Sequence, residues 1–387
     1  MMQPAQTPPA FAEIFRSFLR LGATAFGGPA IVTHMRAMAV ERKRWVDEQT
    51  FDSGNAMAQI LPGAISVQVA AYIGLELRGL AGALAACTGY ILPAFLFMLG
   101  LSALYTRWHD TAAAVAGFSG LRAVVIAILS HAAFLAGRDY IKNKSGALVA
   151  LLAALLFGFR INPVLVILAA GLAGRLVFAA QDRTPAAGLR PYAAKFRQTM
   201  LLLAAVAAGF ALLYLLDGKL FPLALLMAKI DLFAFGGGYT SVPLMFHEIV
   251  EVRGWLDGKT LLDGIALGQL TPGPIVITAT FVGYLLQGVL GAAAATICIF
   301  LPSFLMVAVL SPAIDRLRQK KGFDCFINGI LCSFVGLLAS TVIHFSSAMD
   351  WSWGLGLITA AAFAALFSRI PILFVLLAGI AAALMLR

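Results

Sequence analysis

Charge is what this chain has least of. Of its 387 residues only 12% are charged, while 61% are apolar. A soluble domain carries roughly 25% charged residues, and here long segments have no polar face to turn to water. A soluble globular core is therefore excluded. Cysteine is scarce too: Cys87, Cys298, Cys325 and Cys332 lie in apolar stretches and form no Cys-x-x-Cys pair. Packing is their default role, and a disulfide or thiolate metal site is not expected. The five histidines (34, 109, 131, 247 and 344) stand singly, and the apolar segments hold no carboxylate cluster and no nucleophile with its base. We therefore expect no enzyme, no metal and no cofactor. Residues 1–10, polar and proline-rich, lack the basic and apolar regions of a cleavable signal peptide, so insertion is expected to rely on internal segments.

What the chain does have is apolar runs. Segments such as 80–105, 199–216 and 289–310 are each long enough to span about 30 Å of hydrocarbon. The fold class is an all-α polytopic membrane protein. The formal charge of +10 sits mainly in short loops, where it reads as a positive-inside signal and not as a nucleic-acid surface.

The chain also repeats itself. Phe26 and Gly28 find Phe235 and Gly237 at an offset of 209; Trp45, Gln59, Pro62 and Gly63 find Trp255, Gln269, Pro272 and Gly273 at 210; Pro93 and Gly120 find Pro302 and Gly329 at 209 again. Glycine, proline and tryptophan do not hold such an offset by chance, and an internal duplication follows. The division is a polar tail (1–10), a first repeat (11–180), a basic linker with an unpaired transmembrane helix (181–220) and a second repeat (221–387). A basic cluster follows the segment 112–137 in the first repeat, as Arg138, Lys142 and Lys144, but precedes its counterpart in the second, as Arg316, Arg318, Lys320 and Lys321. Under the positive-inside rule the two repeats are then inverted in topology. The expected count is roughly nine full crossings plus four hairpins of broken, re-entrant helix.

Each repeat is interrupted twice. The first interruptions are Phe26-Gly27-Gly28-Pro29 and Phe235-Gly236-Gly237-Gly238; the second are Leu61-Pro62-Gly63 and Thr271-Pro272-Gly273-Pro274. A broken helix leaves up to four backbone N–H groups unpaired, and in hydrocarbon these must face protein, water or a ligand. Helix N-termini carry partial positive charge, and glycine lets an anion come close. Pro29, Pro62 and Pro272 or Pro274 suit the first turn of the helix that restarts. Broken helices at matching positions of two halves point to a transporter's binding site, here for an anion. Gln59, Gln68, Gln269, Thr271, Thr278 and Thr280 are uncharged donors beside the breaks, with Gln59 and Gln269 equivalent.

Ionisable residues at membrane depth are functional candidates. His34 and Arg36 either complete the anion site or end a half-helix. Lys229 and Asp231 are read as an ion pair holding the hairpin, or as a site cation with its orienting carboxylate. His247 and Glu248 mark an interface or a proton relay, and Arg122 either snorkels or takes a buried partner such as the substrate.

At these residues the sequence resembles the chromate ion transporter family in its long, two-domain form. The resemblance rests on Phe-Gly-Gly-Pro at 26–29, Glu-Arg-Lys-Arg-Trp at 41–45, Gln-Ile-Leu-Pro-Gly at 59–63, Phe-Gly-Gly-Gly-Tyr at 235–239, Gln-Leu-Thr-Pro-Gly-Pro at 269–274 and Phe-Leu-Pro-Ser-Phe at 300–304. It departs at 61–64, where the family often has Pro-Gly-Pro. The resemblance implies a multi-pass protein of the bacterial inner membrane that exports the chromate dianion and confers chromate resistance. Sulfate, a near-isosteric dianion, is the alternative cargo. Partners are then a small inorganic anion and the bilayer, with no nucleic acid; a homodimer stays open.

Overall fold

The computed structural model describes residues 9–26, 28–178, 196–310, 322–368 and 370–386. Gly27, most of the basic linker and the loop 311–321 therefore lie outside the described residues. All regular structure among the described residues is helical. In the first half the order is α1 (Phe11–Thr24), α2 (Gly28–Arg36) running into a π-helical turn (Ala37–Arg42), α3 (Glu48–Ala58), α4 (Ile65–Trp108), α5 (Ala112–Tyr140), α6 (Lys144–Gly158) and α7 (Pro163–Val177). Then α8 (Phe196–Leu216) leads to α9 (Leu220–Phe233), a 3₁₀ turn (Gly238–Thr240) running into α10 (Ser241–Met245) and a π-helical turn (Phe246–Val252), α11 (Gly258–Leu270), a 3₁₀ turn (Ile275–Ile277) and α12 (Thr278–Leu310). The chain ends with α13 (Phe323–Ser347), α14 (Trp353–Leu366) and α15 (Ile372–Met385).

Local chemistry explains these boundaries, and it does so twice. Asp47 caps α3 by accepting from the Thr50 amide, as Asp257 caps α11 by accepting from that of Thr260. Each cap satisfies one of the unpaired amides of a helix start. The π-helical turns end with the Trp45 amide bonded to the Ala39 carbonyl and the Trp255 amide bonded to that of Ile249. Inside α4 the helix breaks at Arg78 (φ −145°) and Gly79 (φ 62°), and α12 breaks at Gln287 (φ −143°) and Gly288 (φ 58°).

That second pair of breaks is a fold-back. A Cβ on Gly74 would lie 2.3 Å from the Gly82 carbonyl oxygen, and one on Gly283 2.2 Å from that of Gly291. Eight residues of straight helix would hold such a pair about 12 Å apart. The chain has therefore doubled over, and only a residue without a side chain fits the crossing. Residues 65–77 form the return arm of a hairpin with α3, whose Gly54 lies against the Tyr72 ring, as Gly264 of α11 lies against that of Phe281. These arms are short: α1, at 14 residues, rises about 21 Å, less than a bilayer core.

Five helices among the described residues are long and apolar enough to cross a membrane: Ile65–Trp108, Ala112–Tyr140, Arg197–Leu216, Ile275–Leu310 and Phe323–Ser347. Four shorter apolar helices, α6, α7, α14 and α15, accompany them. The protein is thus a multi-pass membrane protein.

The halves interlock. Helices α6 and α7 pack on α13, α14 and α15 pack on α5, and α4 packs against α12 through the centre. Small residues set these crossings. A Cβ on Gly120 would lie 2.4 Å from the Gly379 carbonyl, and one on Gly329 2.2 Å from that of Ala170. Without a hydrophobic force between helices in lipid, such close approach is what gives association its van der Waals gain.

Gly63 tests this architecture. Its φ is 112°, and a Cβ there would meet the Ser303 hydroxyl at 2.2 Å. Gly63→Ala is expected to cost roughly 2–4 kcal/mol, from left-handed strain and overpacking together. Gly100→Ala, in α4 with nothing within 4 Å of the added carbon, should be neutral or stabilising by up to about 1 kcal/mol. Thermal unfolding of the two variants in detergent separates them.

Candidate functional site

The breaks come together. Gly63, in the second interruption of the first half, donates its amide to the Ala234 carbonyl (2.8 Å), just before the first interruption of the second half. Gly273 donates to the Ala25 carbonyl (3.0 Å) in the reciprocal contact. Each half therefore completes the broken backbone of the other. The glycine at each crossing sits at φ 112° or 107°, a region that is costly for any other residue.

Where they meet lies a cavity of about 350 Å³. Three restarting helices present their starts to it, α4 through Ala64, Ile65 and Ser66, the turn before α10 through Gly236 to Tyr239 and the turn before α12 through Pro274, Ile275 and Val276, while α2 lines it further along, through Ile31, Val32 and Thr33. Asn55 and Gln59 close it from the end of α3. Its polar side chains are Thr33, Asn55, Gln59, Ser66 and Tyr239, and no charged side chain is among its described lining. Helix starts with partial positive charge, ringed by neutral donors, suit an anion that must be held and then released.

Of the residues expected at the site, Gln59, Gly236, Gly237, Gly238 and Pro274 line this cavity. Gly28 and Pro29 open α2, with Pro29 in its first turn as expected, and Phe26 is half-buried in the break before it. The others stand behind the wall. Gln68 donates to the Pro62 carbonyl at 2.5 Å. Thr271 and Thr278 donate to the carbonyls of Gly268 and Ile275, three residues back, and Thr280 pairs with Thr296. Their hydroxyls are thus spent on helix ends rather than on the cavity. Gln269 is buried but does not line the cavity, so the equivalence of Gln59 and Gln269 does not extend to the site. Phe235 and Pro272 also lie off the lining.

The prolines need correction. Pro62 and Pro272 do not open a helix: α4 begins at Ile65, and Pro274 precedes the turn that begins at Ile275. The left-handed Gly63 and Gly273 intervene and turn the chain before any helix restarts. Thr33, Asn55, Ser66 and Tyr239 escaped the sequence reading. Asn55 lies four residues before Gln59 on the same helix, and that spacing was the available signal.

The ionisable residues pair otherwise than expected. Lys229 does not pair with Asp231; it donates to Glu248 at 2.5 Å, and Arg253 also pairs with Glu248. Spacing explains the error, because residues two apart on a helix face different sides. His247 is buried and meets Glu251 at 2.8 Å, with His344 at 4.0 Å and Arg160 at 3.6 Å from that same carboxylate. His34 is exposed, and Arg36 pairs with Glu48, so neither side chain lines the cavity. Arg122 has a buried protein partner and not the substrate: both nitrogens reach Asp263 at 2.6 Å, and Tyr105 donates to the same carboxylate at 3.0 Å. Nearby, outside the spans, Lys259 stands 2.6 Å from Asp350 and holds its carboxyl below the usual carboxylate range.

Asp263 is 1% exposed, and removing one member of a buried pair costs about 3–5 kcal/mol. Asp263→Ala should lose about that much stability, and adding Arg122→Leu should restore part of it. A double-mutant cycle read by denaturant unfolding in micelles gives the coupling.

Comparison with known proteins finds the sequence repeat again. The family described as Chromate transporter matches residues 12–175 and, a second time, residues 221–384. An uncharacterized transporter of Methanocaldococcus jannaschii is 42% identical over 377 residues, covering 95% of this chain and 92% of that protein. The chromate transport protein of Pseudomonas aeruginosa is 31% identical, covering 87% and 81%, and that of Cupriavidus metallidurans is 29% identical, covering 86% and 81%. No solved structure matches. With both halves matched and full-length relatives on record, this chain belongs to the chromate transporter family.

Proposed function

We propose that this protein carries chromate out of the cytoplasm across the cell's inner membrane, and in doing so confers chromate resistance. The observation that carries the reading is the cavity walled by three helix starts, the body of α2 and five neutral polar side chains. A tetrahedral dianion matches it: helix starts and neutral donors surround a small volume, and no charged side chain of the described lining holds the ligand permanently. The curated relatives named for chromate transport supply the cargo.

Export is the downhill direction. With the cytoplasm negative, moving one charge is worth about 2.3 kcal/mol per 100 mV, and outward movement of a dianion gains roughly twice that. No coupling ion is required for export on these grounds.

In this reading the chain is two inverted repeats, 11–180 and 221–387, joined by a linker and one unpaired helix. The five long spans and four short apolar helices account for about nine crossings, and the broken helices form four hairpins that enter in opposing pairs. The reciprocal bonds of Gly63 and Gly273 support a pseudo-two-fold axis at the cavity, as inverted-repeat carriers have.

Two experiments test this. In liposomes with an imposed potential, labelled chromate should flow toward the positive side, with sulfate a weak competitor. Gly237→Leu should abolish the flux, and Asn55→Ala with Gln59→Ala should weaken apparent affinity by about tenfold, near the worth of one or two hydrogen bonds to a charged ligand. Robust sulfate flux without chromate flux would transfer the function to sulfate. For topology, a single cysteine at Glu41 should react with an impermeant reagent only from the cytoplasm, and one at Asp257 only from outside. Labelling of both from one side would refute the inversion.

A further inference from the structure

We propose that Asp231 is a proton-binding site coupled to the anion site, so that the transporter takes up a proton as it binds its dianion. The inference rests on the transport reading and adds to it.

Asp231 is 1% exposed, in the last turn of α9, just before the break that forms the cavity floor. Among the described residues it has no ion pair. Lys229, two residues back, turns to Glu248. The face of α12 packed against it offers Ser303, whose amide and hydroxyl both donate to Oδ2, at 2.8 and 2.7 Å; the other titratable groups on α12 are Cys298 and Tyr284. Gln68, in the first turn of α4, adds no charge, and the next titratable groups of that helix are Tyr72 and Glu76, one and two turns further on. On α8 the titratable groups are Arg197 and Tyr214, and the bonds to Asp231 come from Ser303 and not from them.

Two buried oxygens here have no hydrogen-bond partner: Oδ1 of Asp231 and Oε1 of Gln68. The two side chains are neighbours at Gly63 through their bonded ends, since a Cβ there would lie 3.0 Å from Asp231 Oδ2 and 3.1 Å from Gln68 Nε2. Oδ1 of Asp231 is then a buried carboxylate oxygen without a donor, where a proton can sit. Buried acceptors left unpaired are costly, and so is a buried carboxylate without a cation. A proton on Oδ1 removes the charge and supplies the donor.

The link to the cavity is a single relay. The Ser303 hydroxyl that donates to Asp231 also accepts from the Ala64 amide at 2.8 Å, and Ala64 lines the cavity. An ionised Asp231 places a negative charge one residue behind an anion site, in a medium that screens it little. Protonation lifts that repulsion, so proton and dianion favour one another. Linkage makes the effect reciprocal: the anion raises proton occupancy as the proton raises anion affinity. The first half has no copy, because Gly22 and Ala94 stand where the second has Asp231 and Ser303.

The test is calorimetric binding of chromate to the full-length protein in nanodiscs, in two buffers of different ionisation enthalpy, in the alkaline range where chromate is a dianion. The wild type should take up close to one proton per anion, and its affinity should fall up to about tenfold per pH unit. Asp231→Asn, neutral at every pH, should bind with no uptake beyond that of chromate itself and with little pH dependence. Infrared difference spectra on adding chromate should show a protonated-carboxyl band, absent in Asp231→Asn and shifted in Asp231→Glu, which keeps the test open if the Asn variant does not insert. Chromate binding without proton uptake overturns the proposal and leaves the transport reading intact. Binding that needs sodium and takes up no proton overturns it in favour of a metal cation at Asp231. Absence of chromate binding overturns both readings.

Discussion

Two backbone hydrogen bonds hold the centre of this protein together, from Gly63 to Ala234 and from Gly273 to Ala25. A helix interrupted in hydrocarbon exposes polar groups that lipid cannot satisfy. Here each interruption is satisfied by the other half of the chain. Neither half can therefore be complete alone, and much else follows from that dependence. The glycines at the crossings must be left-handed, the arms of the hairpins must be short, and the packing must interlock, with α6 and α7 on α13 and α14 and α15 on α5. The cavity is the space these constraints leave over.

The halves share a scaffold but not their charges. Caps, π-helical turns, fold-backs and glycine crossings recur at an offset of 209 or 210. Asp231, Ser303, Asp263 and the buried pair His247 and Glu248 do not: the first half puts Gly22, Ala94 and Ser53 opposite the first three, and Ala37, Met38 and Ala39 opposite the last two. Glycine and proline fix backbone shape, which both repeats need to make a common cavity. Buried charge costs free energy, and a duplicated chain keeps it only where one copy has work for it.

This division also explains what was legible in the sequence. The breaks, their pairing and the presence of a cavity wall at Gly236 to Gly238 could be read because glycine and proline act locally, on the dihedral angles of their own residue. The long apolar helices could be read because segment length and composition act over one element. Partners could not. Nothing in the sequence joins Arg122 to Asp263, 141 positions apart, or Asp231 to Ser303, 72 apart. Such pairs are made by helix packing. The threonines beside the breaks misled for a related reason. A hydroxyl near a helix end has a carbonyl of its own chain within reach, and Thr271 and Thr278 take it before any ligand can.

The neutrality of the cavity then acquires a reason. A site lined with lysine or arginine would bind a dianion tightly and release it slowly, and conduction needs both entry and exit. Helix starts give a weaker and fixed attraction, because their partial charges cannot follow the ligand. Turnover would still benefit from a charge that differs between the loaded and the empty protein. A carboxylate placed just behind the wall, linked to it through one hydroxyl, provides such a difference without touching the cargo. Its neutral form favours the loaded state and its ionised form favours release. In the proposed cycle the weak attraction of the wall and the buried acid behind it are complementary: the first would set where the anion sits, and the second when it leaves.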